Sequence, residues 1–354
     1  MEGSDFKKNH QITQMNLEML QTRASIIKQI RSFFDNRGYL ELDTPLLCDN
    51  LIPESCLEVF ETHRLFPHGS KKESKPLWLI PSPEIWMKKI IAQQRVNVFQ
   101  ICKCFRNGES EGHLHNCEFT MLEYYTMGAD YMDSLILTEE LIKSFYSESH
   151  KRREPATFKK ITVKDAFKQY AGFDLFAAAD EGADALSAQA RKLGLDPPTG
   201  MSVPELYDLI FIHAVEPGLK TENPVFLIDY PAFVPCLALQ RTENKKQRTI
   251  NRDQLTENKE HGGTVERWEL YWNGIELANC FSEETEPQKV KEFFISEETA
   301  KKQNAVVKHN VDHDYWKIFE SFPKCSGTAM GVDRLIMALT GKACIEGVLP
   351  FHAG

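Results

Sequence analysis

Apolar side chains at Leu17, Leu20, Ala24, Ile27, Ile30 and Phe34 recur every three or four residues, predicting one buried stripe on a long helix. Gly38 lies just beyond it, where helices commonly stop. The following YLELDTP alternates as a strand and ends at Pro45, which cannot donate a ladder hydrogen bond. Two aromatic and β-branched runs, 98–107 and 117–127, flank a polar link containing Gly108 and Gly112 and predict a long antiparallel hairpin. A further run over 266–281 is interrupted by Asn273-Gly274, a turn or bulge signal. Residues 326–341 form a glycine-containing entry into an apolar helix that stops at Gly341.

Residues 130–150 read as helix, and 159–215 as an inserted helical subdomain of short helices broken by Gly and Pro. Residues 1–16 read as a polar tail, and 241–261, almost devoid of core-forming side chains, as an exposed excursion. No internal repeat is visible. Strands grouped in hairpins, not alternating with helices, point to an α+β fold with an antiparallel sheet flanked by helices.

Composition narrows the class. The 354 residues carry 42 Lys+Arg against 51 Asp+Glu, a net charge of −9, which argues against a broad basic footprint on nucleic acid. The N-terminus lacks an apolar signal segment, and the apolar stretch 225–239 is broken by Asp229, Pro231 and Pro235, so no membrane association is expected. Nine cysteines without a C-x-x-C pair make a disulfide framework a poor reading and a reducing cytoplasm the default.

Strand alternation puts Gln100, Cys102, Cys104 and Arg106 on one face of the first hairpin arm, and Phe119, Met121, Glu123 and Tyr125 on one face of the second. Arginine, an aromatic ring, a carboxylate and a phenol together are unusual for a packed core; a surface ion pair on an exposed sheet would use the same residue types. Arg334 at a glycine-preceded helix start suits an anion. Glu269, Glu276 and Glu283, seven residues apart, suit Mg²⁺ on nucleotide phosphates or simply a solvated acidic face. Cys102, Cys104, His113, His115 and Cys117 form a rival zinc set, but C-x-C is a poor structural-zinc spacing. No GxxxxGK[ST] loop and no GxGxxG opening a helix is present.

In order along the chain, these segments resemble the catalytic core of class II aminoacyl-tRNA synthetases, most closely the lysyl branch. The helix and strand ending at Pro45 look like motif 1, FRNGESEGHLHNCEFTMLEYY like motif 2 and GTAMGVDRLIMAL like motif 3. PSPEIWMKK (81–89) and GIELANCFSEET (274–285) resemble the amino-acid-binding segments. The resemblance implies one catalytic domain over 17–354, without an anticodon-binding domain, as in the stand-alone branch that modifies translation elongation factor P. Ser82 and Ala329 stand where the lysyl branch usually has Ala and Gly, and so fit that stand-alone branch.

By this resemblance, Arg106 holds the α-phosphate and the activated carboxylate, and Phe119 and Arg334 sandwich adenine. Asn107, Gly108, Glu109, Asn116, Leu277 and Gly331 contact ATP, while Glu269 and Glu276 bind Mg²⁺. Ser82, Pro83, Glu84, Glu123, Asn279 and Ala329 surround the amino acid, and Tyr125 and Glu283 receive its distal ammonium. The implied activity is ATP-dependent activation of (R)-β-lysine and transfer to a lysine of elongation factor P, by a cytoplasmic homodimer with no anticodon-type tRNA recognition. An α-lysine-activating enzyme with a tRNA or small-molecule acceptor, or an inactive synthetase-like regulator, are the alternatives. Three positions depart from the pattern: Gly108 displaces the usual motif 2 glutamate to Glu109, Cys117 replaces a proline, and Cys280 replaces a glycine, where its side chain is expected to crowd the pocket.

Overall fold

A computed structural model describes residues 16–66, 74–108, 112–147, 157–241 and 263–351. The 1–15 part of the expected tail, the 242–261 part of the expected excursion, and Glu109 therefore lie outside the described residues. In chain order the elements begin with helix α1 (Leu17–Asp35) and strands β1 (Leu40–Glu41), β2 (Leu47–Cys48), β3 (Glu61–Leu65) and β4 (Ser74–Leu79). Helix α2 (Glu84–Gln94) precedes the hairpin β5 (Val98–Phe105) and β6 (Glu118–Met127), then α3 (Tyr131–Ser147) and β7 (Lys159–Thr162). Four helices follow, α4 (Val163–Ala166), α5 (Leu175–Glu181), α6 (Ala183–Lys192) and α7 (Val203–Ile210). The chain then forms β8 (Val225–Pro231), β9 (Thr264–Trp272), β10 (Ile275–Ser282), α8 (Pro287–Asn304), β11 (Cys325–Gly331) and α9 (Val332–Thr340).

Among the described residues, eight strands form one sheet in the order β1-β5-β6-β11-β10-β9-β8-β7, antiparallel except at its two ends, where β1 and β7 pair in parallel. One face of this sheet is apolar. Phe99, Leu122, Tyr124, Met330, Cys280, Trp268 and Phe226 point into a core closed by α1, α3 and α9. Among the described residues, the opposite face is covered only at its ends. At one end the three-stranded sheet β2-β4-β3 packs with α2 and α8 around Trp78, Ile80 and Tyr125. At the other, α4 to α7 bury Leu227, Val225 and Tyr271. Between these two covers, β6, β11 and β10 are left as the floor of a trough.

Local chemistry explains several elements. Asn16 caps α1 by accepting the Glu18 amide at 3.0 Å. Asn273 and Gly274 both have positive φ, 53° and 78°, the two-residue turn that joins β9 to β10 with the strands' own twist. Gly341, at φ 68°, ends α9 as expected. Two expectations need correction. The buried face of α1 is Arg23, Ile26, Ile30, Phe33 and Phe34, rotated from the predicted stripe, and Leu17 is 66% exposed. Hydrophobic periodicity misses this because α1 turns to bury an arginine: Arg23 donates to Asp333 at 2.5 Å and to Thr120 at 2.8 Å. The stretch 159–215 is not wholly helical, since Lys159–Thr162 adds β7 to the main sheet.

Candidate active site

The trough contains a cavity of about 360 Å³. Sheet register builds its floor. Gln100 lies opposite Glu123, Cys102 opposite Met121 and Cys104 opposite Phe119. Glu123 in turn faces Ala329, and Tyr125 faces Gly327; Ala329 faces Asn279, and Gly327 faces Phe281. Since opposed residues share a face, Phe119, Glu123, Tyr125, Ala329 and Asn279 all look into one space. The face predicted for the hairpin is therefore the cavity floor.

The neighbours of each charged group order them along the trough. Glu276 is influenced by Glu269, Arg334 and Arg106; Glu54 by Glu84 and Arg106; Glu123 by Glu84 and Lys88. Arg334 and Glu276 thus occupy one end and Glu123, Tyr125 and Glu283 the other, with Arg106 between. At the first end, Arg334 donates to Glu276 O at 3.0 Å and Leu114 O at 3.3 Å, which fixes its guanidinium at the start of α9. The Arg106 guanidinium stands 5.3 Å from the Phe119 ring centroid. Its Nε is buried and has no hydrogen-bond acceptor among the described residues. An orphaned cationic donor in a cavity is suited to a phosphate or carboxylate.

The second end is acidic. Ser82 Oγ accepts the Glu84 amide at 3.1 Å and starts α2, whose first turn directs Glu84 into the cavity. Lys88, one turn later and fully buried, reaches Glu84 at 2.6 Å and Glu283 at 2.6 Å. These two carboxylates hold Lys88 firmly protonated, well above the usual lysine range despite its burial. Burial pushes the Glu283 carboxyl up to about 7, with Lys88 opposing the shift. Glu123 is raised strongly by burial and by Glu84, and accepts the Tyr125 hydroxyl at 2.5 Å. Glu123 Oε2 and Asn279 Oδ1 are buried acceptors without a donor among the described residues. Gly327 makes room beneath: a Cβ there would run into Glu283 Oε1 and the Tyr125 ring.

Comparison with known proteins fits this geometry. The family pattern of tRNA synthetases class II (D, K and N) matches residues 8–353. The chain belongs to the class II tRNA synthetases. It is 32% identical over 338 residues to the elongation factor P–(R)-β-lysine ligase of Histophilus somni, covering 95% of each chain. The Vibrio atlanticus protein of the same name is 32% identical over 348 residues, again covering 95% of each. An Aquifex aeolicus protein named as a homolog of that ligase is 34% identical over 329 residues, 92% of this chain and 97% of that one.

In this class II synthetase the expected motifs 2 and 3 meet at the cavity, and motif 1 is tied to both. Motif 1 contributes Arg23, which ties α1 to Asp333 of motif 3 and to Thr120 of motif 2. Ser82, Glu84, Arg106, Asn116, Phe119 and Glu123 line the cavity, as do Tyr125, Glu276, Leu277 and Asn279, and Glu283, Ala329, Gly331 and Arg334. Pro83, Asn107, Gly108 and Glu269 are not among its lining residues. Pro83 is the cap residue of α2. Asn107 donates its backbone amide to Glu58 O at 2.9 Å and its side chain to Val59 O at 3.4 Å. Gly108, at φ 66°, donates to Asn107 Oδ1. These two residues fasten the root of the motif 2 loop. Glu269 lies opposite Asn279 on the same face of the sheet, beside the cavity, where Arg267 at 2.6 Å and the Tyr271 hydroxyl at 2.7 Å occupy its two oxygens.

Cys280 is the clearest correction. It pairs with Trp268 and Thr328 and is buried in the helical core on the opposite face of the sheet. Its side chain therefore does not crowd the pocket. Sequence reasoning also passed over Lys88, Glu54 and Gly327. The Glu84-to-Lys88 spacing of one helical turn was a usable signal for the first. Nothing local marks the other two, whose partners come from other strands and loops.

No helix among the described residues is long and apolar enough to cross a membrane.

Proposed function

We propose that the protein activates (R)-β-lysine with ATP and transfers it to a lysine side chain of translation elongation factor P. Supporting this are the relatives of that name, matched over 95% of both chains. The observation that carries it is the polarity of the trough. An unsatisfied arginine donor faces the nucleotide end, and unsatisfied acceptors with a surplus of carboxylates face the other. Such a trough orients a diamino acid, carboxylate toward Arg106 and distal ammonium toward Glu283 and Tyr125; an ammonium brings three donors and no acceptor.

In the first step a carboxylate oxygen of the amino acid attacks the α-phosphorus, and pyrophosphate leaves with the bridging oxygen. Arg106 binds the α-phosphate and holds the attacking carboxylate beside it, while Arg334, braced by Glu276 O, faces the remaining phosphates or the adenine. Asn116, the Leu277 and Gly331 backbone and the Phe119 ring shape the nucleotide side. In the second step the target amine attacks the adenylate carbonyl, AMP leaves, and the amine gives up a proton.

Glu276 suits a magnesium ion carried on the phosphates. Burial and the like charge of Glu269 push its carboxyl up to about 7, so a cation there would relieve a repulsion already present. Glu276 would hold the ion, with Glu269 contributing negative charge from beside it on the same sheet face, and Mg²⁺ would neutralise charge developing on the phosphate oxygens. Ala329, on the floor opposite both Glu123 and Asn279, is positioned to discriminate lysine isomers.

The test is amino-acid-dependent ATP–pyrophosphate exchange. Exchange with (R)-β-lysine is expected to exceed that with L-α-lysine by about tenfold or more, the range a small change in pocket shape supports. A preference for L-α-lysine would reject this substrate. ATP binding without exchange on either would reject the activation chemistry. The proposal includes a homodimer formed through α1, whose Leu17 is 66% exposed beside the buried face. Light scattering at micromolar concentration is expected to give twice the 40.7 kDa chain mass, and a monomer would reject the dimer.

A further inference from the structure

One carboxylate in the cleft has no task in the chemistry above. Glu54 lies in the loop between β2 and β3 and lines the cavity beside Arg106 and Glu84. That loop is fastened from α8 and the segment after it. Lys301, 5% exposed, donates to Glu54 O at 2.9 Å and also to Leu57 O. Glu297 accepts the Ser55 amide at 2.8 Å. The Glu58 carboxylate accepts the amides of Val306 and Val307 at 2.8 and 3.1 Å. The backbone at Glu54 is therefore held in place, and the contact with Lys301 uses its carbonyl rather than its side chain.

Among the described residues the Glu54 carboxylate has neither a hydrogen bond nor an ion pair. Glu84 presses on it with like charge, and Arg106 is the strongest cationic influence. An anionic group set into a cleft without a partner is costly unless a cation arrives. Arg106 is where the substrate carboxylate would sit. The group that falls next to Glu54 is then the substrate amine closest to that carboxylate, while the distal ammonium lies at the Glu283 end.

We infer that Glu54 is the acceptor for this proximal amine and makes the site select diamino acids over monoamino acids of the same chain length. The assignment rests on the activation reading above. A site built to bond an amine rejects the analogue that lacks it, because its own polar group is then left unpaired.

Pyrophosphate exchange by the full chain with (R)-β-lysine and with 6-aminohexanoate tests it. The second compound keeps the carboxylate and the distal ammonium and lacks only the proximal amine. It is read as a substrate or as a competitor of (R)-β-lysine. Glu54→Gln is expected to lower kcat/KM for (R)-β-lysine about 30-fold or more and to leave 6-aminohexanoate within about twofold, so that the preference collapses. Glu54→Asp is expected to recover part of the loss, and an unchanged KM for ATP reports an intact fold. Parallel loss with both compounds, or loss with neither, overturns the role of Glu54 alone. A wild-type protein that exchanges with no lysine isomer overturns the activation reading, and the role of Glu54 with it.

Discussion

Arg106→Ala is expected to lower amino-acid-dependent ATP–pyrophosphate exchange about 10³-fold, mostly in kcat, as for other groups that stabilise charge on a transferring phosphoryl centre. The basis is position and lack of a competing partner. Arg106 lies between the acidic and nucleotide ends of the trough, its Nε is buried without an acceptor, and its guanidinium rests over Phe119. The unpaired Nε–H leaves a cationic donor available for the α-phosphate or the attacking carboxylate. Removal also takes a cation from beside Glu54 and Glu276, both pushed up to about 7. Both would then stay protonated to higher pH, so the residual activity of the variant should rise with pH over a range displaced upward from that of wild type, as the carboxylates that hold the cation and the substrate amine ionise. Lysine at 106 is expected to rescue only a small part, because it lacks the planar fork. A loss below tenfold in Arg106→Ala would show that Arg106 does not bind the reacting phosphate.

Much of the fold and the floor of the site was legible because strand alternation is local. The hairpin 98–127 and the Asn273-Gly274 turn follow from residue type and period alone, and so does the single polar face carrying Arg106, Glu123 and Tyr125. What escaped was set by pairings distant in sequence. Arg23 rotates α1 because Asp333, 310 residues away, accepts from it. Cys280 looked like an obstruction until the β10–β11 register put it on the far face. Glu54 carries no local signal, since its place is fixed by Lys301 and Glu297 of α8. Lys88 was within reach of a helical-spacing argument from Glu84, but its second partner, Glu283, comes from beyond the end of β10.

Lys88 carries the second large effect. Lys88→Met keeps the volume and stem of the side chain and removes only the ammonium, leaving Glu84 and Glu283 without a counter-ion. Breaking one side of a buried ion pair costs about 3–5 kcal/mol, more than the pair itself contributes over an apolar replacement. Urea unfolding should show this as a lowered midpoint, and the deficit should depend on pH in a defined direction. A carboxyl whose folded pKa is raised above its unfolded value binds more protons when folded, so it supports the fold at low pH and loses that support as pH rises through the folded pKa. Glu283 already stands at about 7 with Lys88 present, and without it the shift must be larger. The deficit of Lys88→Met is therefore expected to be small near pH 5 and to grow toward pH 8. Adding Glu283→Gln should recover a large part of it, because the second change removes the charge that the first left uncompensated. A deficit equal at pH 5 and pH 8, or no recovery in the double variant, would show that Lys88 contributes packing and not charge.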